Sequence, residues 1–212
     1  LKPHSLLWYS NKAKAFQYGF NLPPDSDVYN NTNVDEQAVA DSQIVRFAAV
    51  VEQDRGLRLK IAKEVAGDLA PLTPAEMEAF AEYMRRIKDA GVRLNITSTP
   101  ADSLILSLTI FYNPLILNNQ GQRLDGTNNT PVQQAIQDYL RNLPFNGVFL
   151  LQDLTDVLQR VEGVRTVYIS NAQARYGSLP YQSFAIRYQP DSGYLRFVQP
   201  NHLTVLFLPT TD

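Results

Sequence analysis

The stretch FNGVFLLQDLTDVLQRVEGV, Phe145 to Val164, reads in order as a turn, a short strand, an amphipathic helix and the start of a second strand. Leu151, Leu154, Val157, Leu158 and Val161 recur at the three- and four-residue intervals of one helix face. That spacing turns Asp153, Asp156, Gln159 and Arg160 toward the polar side. Asp156 precedes Arg160 by four residues, the favourable order for a helix ion pair worth about 0.3 kcal/mol. Asp153 lies near the helix N-terminus, where the dipole favours an acid. Both aspartates therefore read as helix-stabilising, and Gly163 reads as the stop before the strand VRTVYIS.

Working upstream, Thr130, Pro131 and Gln133 carry capping signals for a helix with the stripe Val132, Ala135, Ile136, Tyr139, Leu140 and Leu143. Residues 118–130, NNQGQRLDGTNNT, form a polar loop before it. VRLNITS and DSLILSLTIFYNP are two strands around a turn at Pro100, the second apolar enough to be central in a sheet. In LTPAEMEAFAEYMRRIKDAG, Thr73 caps a helix, Pro74 opens it, Glu76 completes a capping box and Gly91 follows its end. QIVRFAAVVEQ and LRLKIAKEV flank DRG as a β-hairpin with Gly56 in the turn. Downstream, SFAIRYQPDSGYLRFVQPNHLTVLFLP reads as three short strands in a meander, joined by PDSG and QPN turns.

Strand, helix, strand, helix, strand and then a meander make an α+β protein, with mixed sheets and helices packed on one face. Two small subdomains are expected, an α+β hairpin-plus-helix unit over residues 35–98 and a second over 99–212, preceded by an aromatic-rich arm over 1–34. The segment LLWYSNKAKAFQYGFNLPPDSDVYNNTN carries a helix through Trp8 to Tyr18, then an extended run from Pro23-Pro24. Its rings have two readings: they belong to the domain core, or Trp8, Tyr9, Phe16, Tyr18 and Phe20 form an interface that docks on a neighbouring subunit.

Composition narrows the function classes. The chain has 212 residues, 44% of them hydrophobic, enough to fill a core of that size. A net charge of −2 without any long run of like charge lacks the electrostatic footprint of a nucleic-acid or anionic-membrane binder, so protein partners are expected. No apolar run approaches the roughly 18 residues of a membrane span. No signal peptide opens the chain, and a start at Leu1 rather than Met suits a fragment. The absence of cysteine removes disulfides, thiolate nucleophiles and cysteine metal sites.

The remaining routes to chemistry are few. His4, near the terminus, and His202, in the QPNHL turn, are the only histidines. Asp25 and Asp27 have the spacing of a short acidic metal motif, but a Pro-Pro-Asp context favours a solvated turn. Gly177-Ser178 stands upstream of Asp191 as in a nucleotidyltransferase, yet the second carboxylate that such a site needs falls at Gly193. No phosphate loop, nucleophile elbow or HExxH motif is present, and no metal or cofactor is expected.

The order of motifs from Ala79 onward resembles the C-terminal half of baseplate J-like proteins, the wedge components of contractile phage tails and related injection machines. The matching residues are RRIKDAGVRLNITSTPADSLILSLTIFYNP, a polar loop, PVQQAIQDYLRNLPFNGVF and LQDLTDVLQRVEGVRTVYIS. Ala90, Gly91 and Val92 match the family's first turn, and Gly147, Gly163 and Val164 match the later two. The N-terminal WYSNKAKAFQYGF and the hairpin region also look like phage or prophage proteins, although members of the family are commonly longer. The resemblance implies a structural, non-enzymatic subunit of a virion tail baseplate, self-associating and bound to other baseplate or tail proteins, with no catalytic residue to carry over. Two other classes stand beside it: a metal-dependent nucleotide or phosphoryl transfer enzyme with a carboxylate-only site, and a carbohydrate-binding or adhesion module using tyrosines and Asn-rich loops.

Overall fold

A computed structural model describes residues 2–53 and 55–210. The fold is α+β, and the chain divides into two units, Leu1–Pro100 and Ala101–Asp212, so the Pro100 turn is where one gives way to the other.

The first unit contains helices α1 (Leu6–Lys14), α2 (Glu36–Ser42) and α3 (Pro74–Ile87) and strands β1 (Phe47–Gln53), β2 (Gly56–Val65), β3 (Asp68–Ala70) and β4 (Leu94–Thr97). β1 and β2 form the expected hairpin, in register from Phe47 opposite Ala62 to Gln53 opposite Gly56. On the other side of β2, β3 pairs antiparallel and β4 pairs parallel, Leu57 opposite Leu94. Gly56 is required by β4: a Cβ there would lie 2.6 Å from the Arg93 carbonyl oxygen, which accepts the Leu57 N–H at 2.8 Å.

The capping box on α3 is complete. Thr73 Oγ1 accepts the Glu76 N–H, and Glu76 Oε2 accepts the Thr73 N–H at 2.7 Å. Glu76 also takes both its oxygens to Lys63 Nζ of β2, at 2.8 and 2.9 Å, which ties the helix start to the sheet. Burial pushes the Glu76 carboxyl up, but the Lys63 ammonium and the Thr73 N–H and hydroxyl outweigh it, and the group sits below the ordinary carboxylate range. A depressed folded-state pKa contributes stability above the unfolded value and loses it as pH falls through the folded one. Glu76→Ala is therefore expected to cost about 1–2 kcal/mol at about pH 7, through the cap and the ion pair. The gap from the parent should narrow by about pH 3 in urea melts; a pH-independent gap would show that packing, not charge, is what was lost.

The second unit is built on β5 (Asp102–Tyr112), followed by α4 (Pro131–Asn142), β6 (Phe149–Leu150), α5 (Leu151–Gln159), β7 (Val164–Arg175), β8 (Gln182–Ser183), β9 (Arg187–Tyr188), β10 (Leu195–Arg196), a 3-10 turn (Pro200–His202) and β11 (Leu203–Pro209). β5 is central as expected, antiparallel to β7 on one side and parallel to β10 and β11 on the other. Leu104, Leu106, Leu108, Ile110 and Tyr112 alternate into a core with Val132, Ile136 and Leu140 of α4 and Leu154 and Leu158 of α5. Ile105, Ser107, Thr109 and Phe111, on the other face of β5, are half-buried.

Two expectations fail here. The C-terminal segments are not a meander: β10 pairs with Asp102–Ser103 and β11 with Leu106–Tyr112, both parallel to β5 along the same edge. The cause is the PDSG turn, which the Asp102 carboxylate holds by the N–H groups of Asp191 and Ser192, so the chain enters beside the start of β5. The 3-10 turn then carries it onward along that edge. Thr130 makes no side-chain cap on α4; its own N–H instead donates to Asn128 Oδ1.

Candidate interaction site

The five aromatic candidates divide by burial. Tyr9 of α1 and Phe16, just beyond it, are 1% and 3% exposed, and both belong to the first unit's core with Ala13, Leu22, Phe80, Tyr83 and Met84. The Phe16 ring meets Phe80 edge-on at 5.3 Å, and Tyr29 stacks on Tyr83 at 5.6 Å. Residues 1–34 therefore contribute core to the first unit, and Tyr9 and Phe16 are spent inside it. Trp8 and Phe20 are half-buried and Tyr18 is exposed, which leaves these three with ring surface outside the core.

Tyr9 has a polar end as well. Its hydroxyl donates to Asp89 Oδ2 at 2.7 Å, and His4 Nδ1 lies 2.8 Å from Asp89 Oδ1. The Tyr9 hydroxyl, more than any other group, holds the Asp89 carboxyl below its usual range. These three residues line an open cleft of about 650 Å³ together with Glu52, Arg55 and Arg93.

The acids singled out in sequence are placed as follows. Asp153 and Asp156 are exposed on α5, and Asp156 accepts a hydrogen bond from Gln152 rather than pairing with Arg160. Asp27 pairs with Lys12 Nζ at 2.6 Å, and Asp25 takes left-handed backbone at φ 56°. Both line a cleft of about 690 Å³ shared with Arg85 and Arg86, so a cation entering it meets two guanidinium groups. Gly193 has φ 100° and is buried against the Phe145 ring. Among the described residues no group of three or more His, Asp or Glu side chains is placed to hold a metal ion. Among the same residues no helix is long and apolar enough to cross a membrane.

The structure adds two clusters without a local sequence signal. Asp102, fully buried, accepts the Tyr188 hydroxyl at 2.6 Å and the Asp191 and Ser192 N–H groups at 2.9 Å. Ser103 Oγ lies 2.8 Å from the Tyr181 hydroxyl and 3.3 Å from Nδ1 of the buried His202, while the Arg175 guanidinium stacks 4.5 Å from the Tyr181 ring centre. Ser103 is 5% exposed and shares its hydroxyl between both neighbours, an arrangement that fastens β5 to the turn before β11. The partners lie 78 to 99 residues apart, so no sequence window contains them.

Fold and clusters together define a two-unit α+β protein in which Glu76, Asp89 and Asp102 hold a helix cap, an aromatic hydroxyl and a turn. No protein-family model matches the chain, and no curated protein sequence matches it.

Proposed function

We propose that the chain is a structural subunit of a phage or prophage tail baseplate, acting through contacts with other tail proteins and with copies of itself in a ring-like assembly. The observation that carries the reading is the order of elements from Ala79 onward. The second half of α3 runs through Gly91, at φ 82°, into β4; β5, the polar loop, α4 and α5 follow, and Gly163, at φ 93°, leads into β7. Gly91 and Gly163 are two of the residues on which the resemblance to baseplate J-like proteins rests. The exposed ring of Tyr18 and the half-buried rings of Trp8 and Phe20 keep surface outside the core, and such rings are anchors of the kind that dominate protein interfaces.

The test is direct. The purified chain, mixed with tail sheath, tube and hub proteins from the same genome, should co-elute with at least one of them and exceed its own 23.9 kDa mass. A chain that binds none of them, whether or not it pairs with itself, would sink the proposal.

A further inference from the structure

The sheet of the second unit has two outer edges that flank the same rungs of β5. Val167 of β7 and Phe207 of β11 both lie opposite Ile110, and Tyr168 and Leu206 both lie opposite Thr109. The edges are protected differently. On β7 the register slips between Ser107 and Leu108, a bulge that leaves Ser170 outside the ladder, and exposed Arg165 stands at the strand's start. Bulges and charges are the devices that keep a strand edge from pairing with another chain.

β11 has neither device. It pairs with β5 through seven unbroken rungs, Leu203 to Pro209, and Leu203 to Thr210 contain no ionisable side chain. Its single protective feature is Pro209, at the far end. Among the described residues, only β5 gives the main chain of Leu203–Pro209 a hydrogen-bonding partner. Its outward row of N–H and C=O groups, about 23 Å long, can be satisfied only by water or by another strand. On the solvent face Leu206 and Leu208 are 54% and 38% exposed, with Thr204 beside them.

We propose that β11 is a self-pairing strand: the Leu203–Pro209 edge of one copy joins antiparallel to the same edge of a second copy. A two-fold axis near Leu206 sets Thr204 opposite Leu208 of the partner copy, so the pairing strands bring polar and apolar side chains together without opposing any charges. A charged partner strand would leave its charges without counter-ions on this edge, whereas a second β11 supplies a matching uncharged row. The contact is isologous, so it closes at two copies rather than propagating. The inference rests on the reading above for the expectation that copies associate, and it adds the strand that carries the association.

Light scattering on the full chain at about 0.1 mM should give twice the 23.9 kDa monomer mass. Leu206→Lys should raise the dimer dissociation constant at least about tenfold, with the melting temperature kept. Because the chain has no cysteine, a single Leu206→Cys tests the contact with little perturbation of the fold. L206C should cross-link to a dimer under mild oxidation, and Tyr168→Cys on the β7 edge should not. A monomeric parent, a dimer indifferent to L206K, or cross-linking through Y168C instead of L206C would each overturn the pairing. A monomer that still binds tail proteins refutes the pairing and leaves the baseplate reading standing. A β11-dependent dimer that binds none of them does the reverse.

Discussion

Replacing Asp102 by alanine lowers the unfolding free energy of the second unit by about 4 kcal/mol. The carboxylate is fully buried, and its two oxygens serve three donors: Oδ2 takes the Tyr188 hydroxyl and the Asp191 N–H, and Oδ1 takes the Ser192 N–H. Each buried donor left without an acceptor costs about 1–3 kcal/mol, and the sum is reduced where the half-buried Tyr188 can turn to water. Tyr188 is a committed donor, because burial and the hydrogen bond to Asp102 both push its hydroxyl pKa up. The carboxylate also decides topology, since the turn it grips is the one that sets β10 parallel to β5. Asp102→Asn separates acceptor count from shape. Whichever oxygen becomes an amino group, it faces a main-chain N–H that cannot accept, so D102N should still lose about 2–3 kcal/mol. Urea unfolding followed by far-ultraviolet circular dichroism measures both. A D102A variant within about 1 kcal/mol of the parent would mean that water replaces the carboxylate and that the network does not hold the turn.

What could be read from sequence was what neighbouring residues decide. The Thr73–Glu76 box, the Phe47–Val65 hairpin and the Leu154–Leu158 stripe all lie within a few turns of chain, and each is present in the structure. Parallel pairing leaves no such trace. β4 joins β2 some forty residues back, and β11 joins β5 about a hundred residues back, and neither partner is marked by a turn. The QPN turn was legible as a turn, but its outcome, continuation along the same edge of β5, depends on His202 meeting Ser103. The aromatic segment was ambiguous for a related reason. Trp8, Tyr9, Phe16, Tyr18 and Phe20 look alike in composition, and their separation into core and surface is made by Phe80, Tyr83 and Asp89, more than sixty residues on. Asp102 begins a largely apolar strand and reads there as the end of a turn; its hub role comes from Tyr188, Asp191 and Ser192.

Gly193→Ala should destabilise the second unit by about 3 kcal/mol, and Gly193→Asp by more. The glycine does two things at once. Its φ of 100° is one that an L side chain adopts only at a cost of about 1–2 kcal/mol. A Cβ there would also stand 2.6 Å from Cζ and 2.7 Å from Cε2 of Phe145, a ring that neighbours Tyr194 with 6.2 Å between centroids. Moving that ring costs a further 1–3 kcal/mol or so, the usual range for overpacking. Aspartate adds a carboxylate to a buried position against an aromatic face, so G193D should leave little folded second unit at room temperature. The two costs separate in a double-mutant cycle. Phe145→Leu removes the ring atoms that the new Cβ would strike, so G193A in that background should cost only the backbone share, a coupling of about 1–2 kcal/mol. Additive losses would instead place the whole effect in the backbone. This position is also where a nucleotidyltransferase pattern needs its second metal-binding carboxylate. The backbone angle and the Phe145 ring both oppose a side chain there, while the Asp191 N–H two residues earlier is already committed to Asp102.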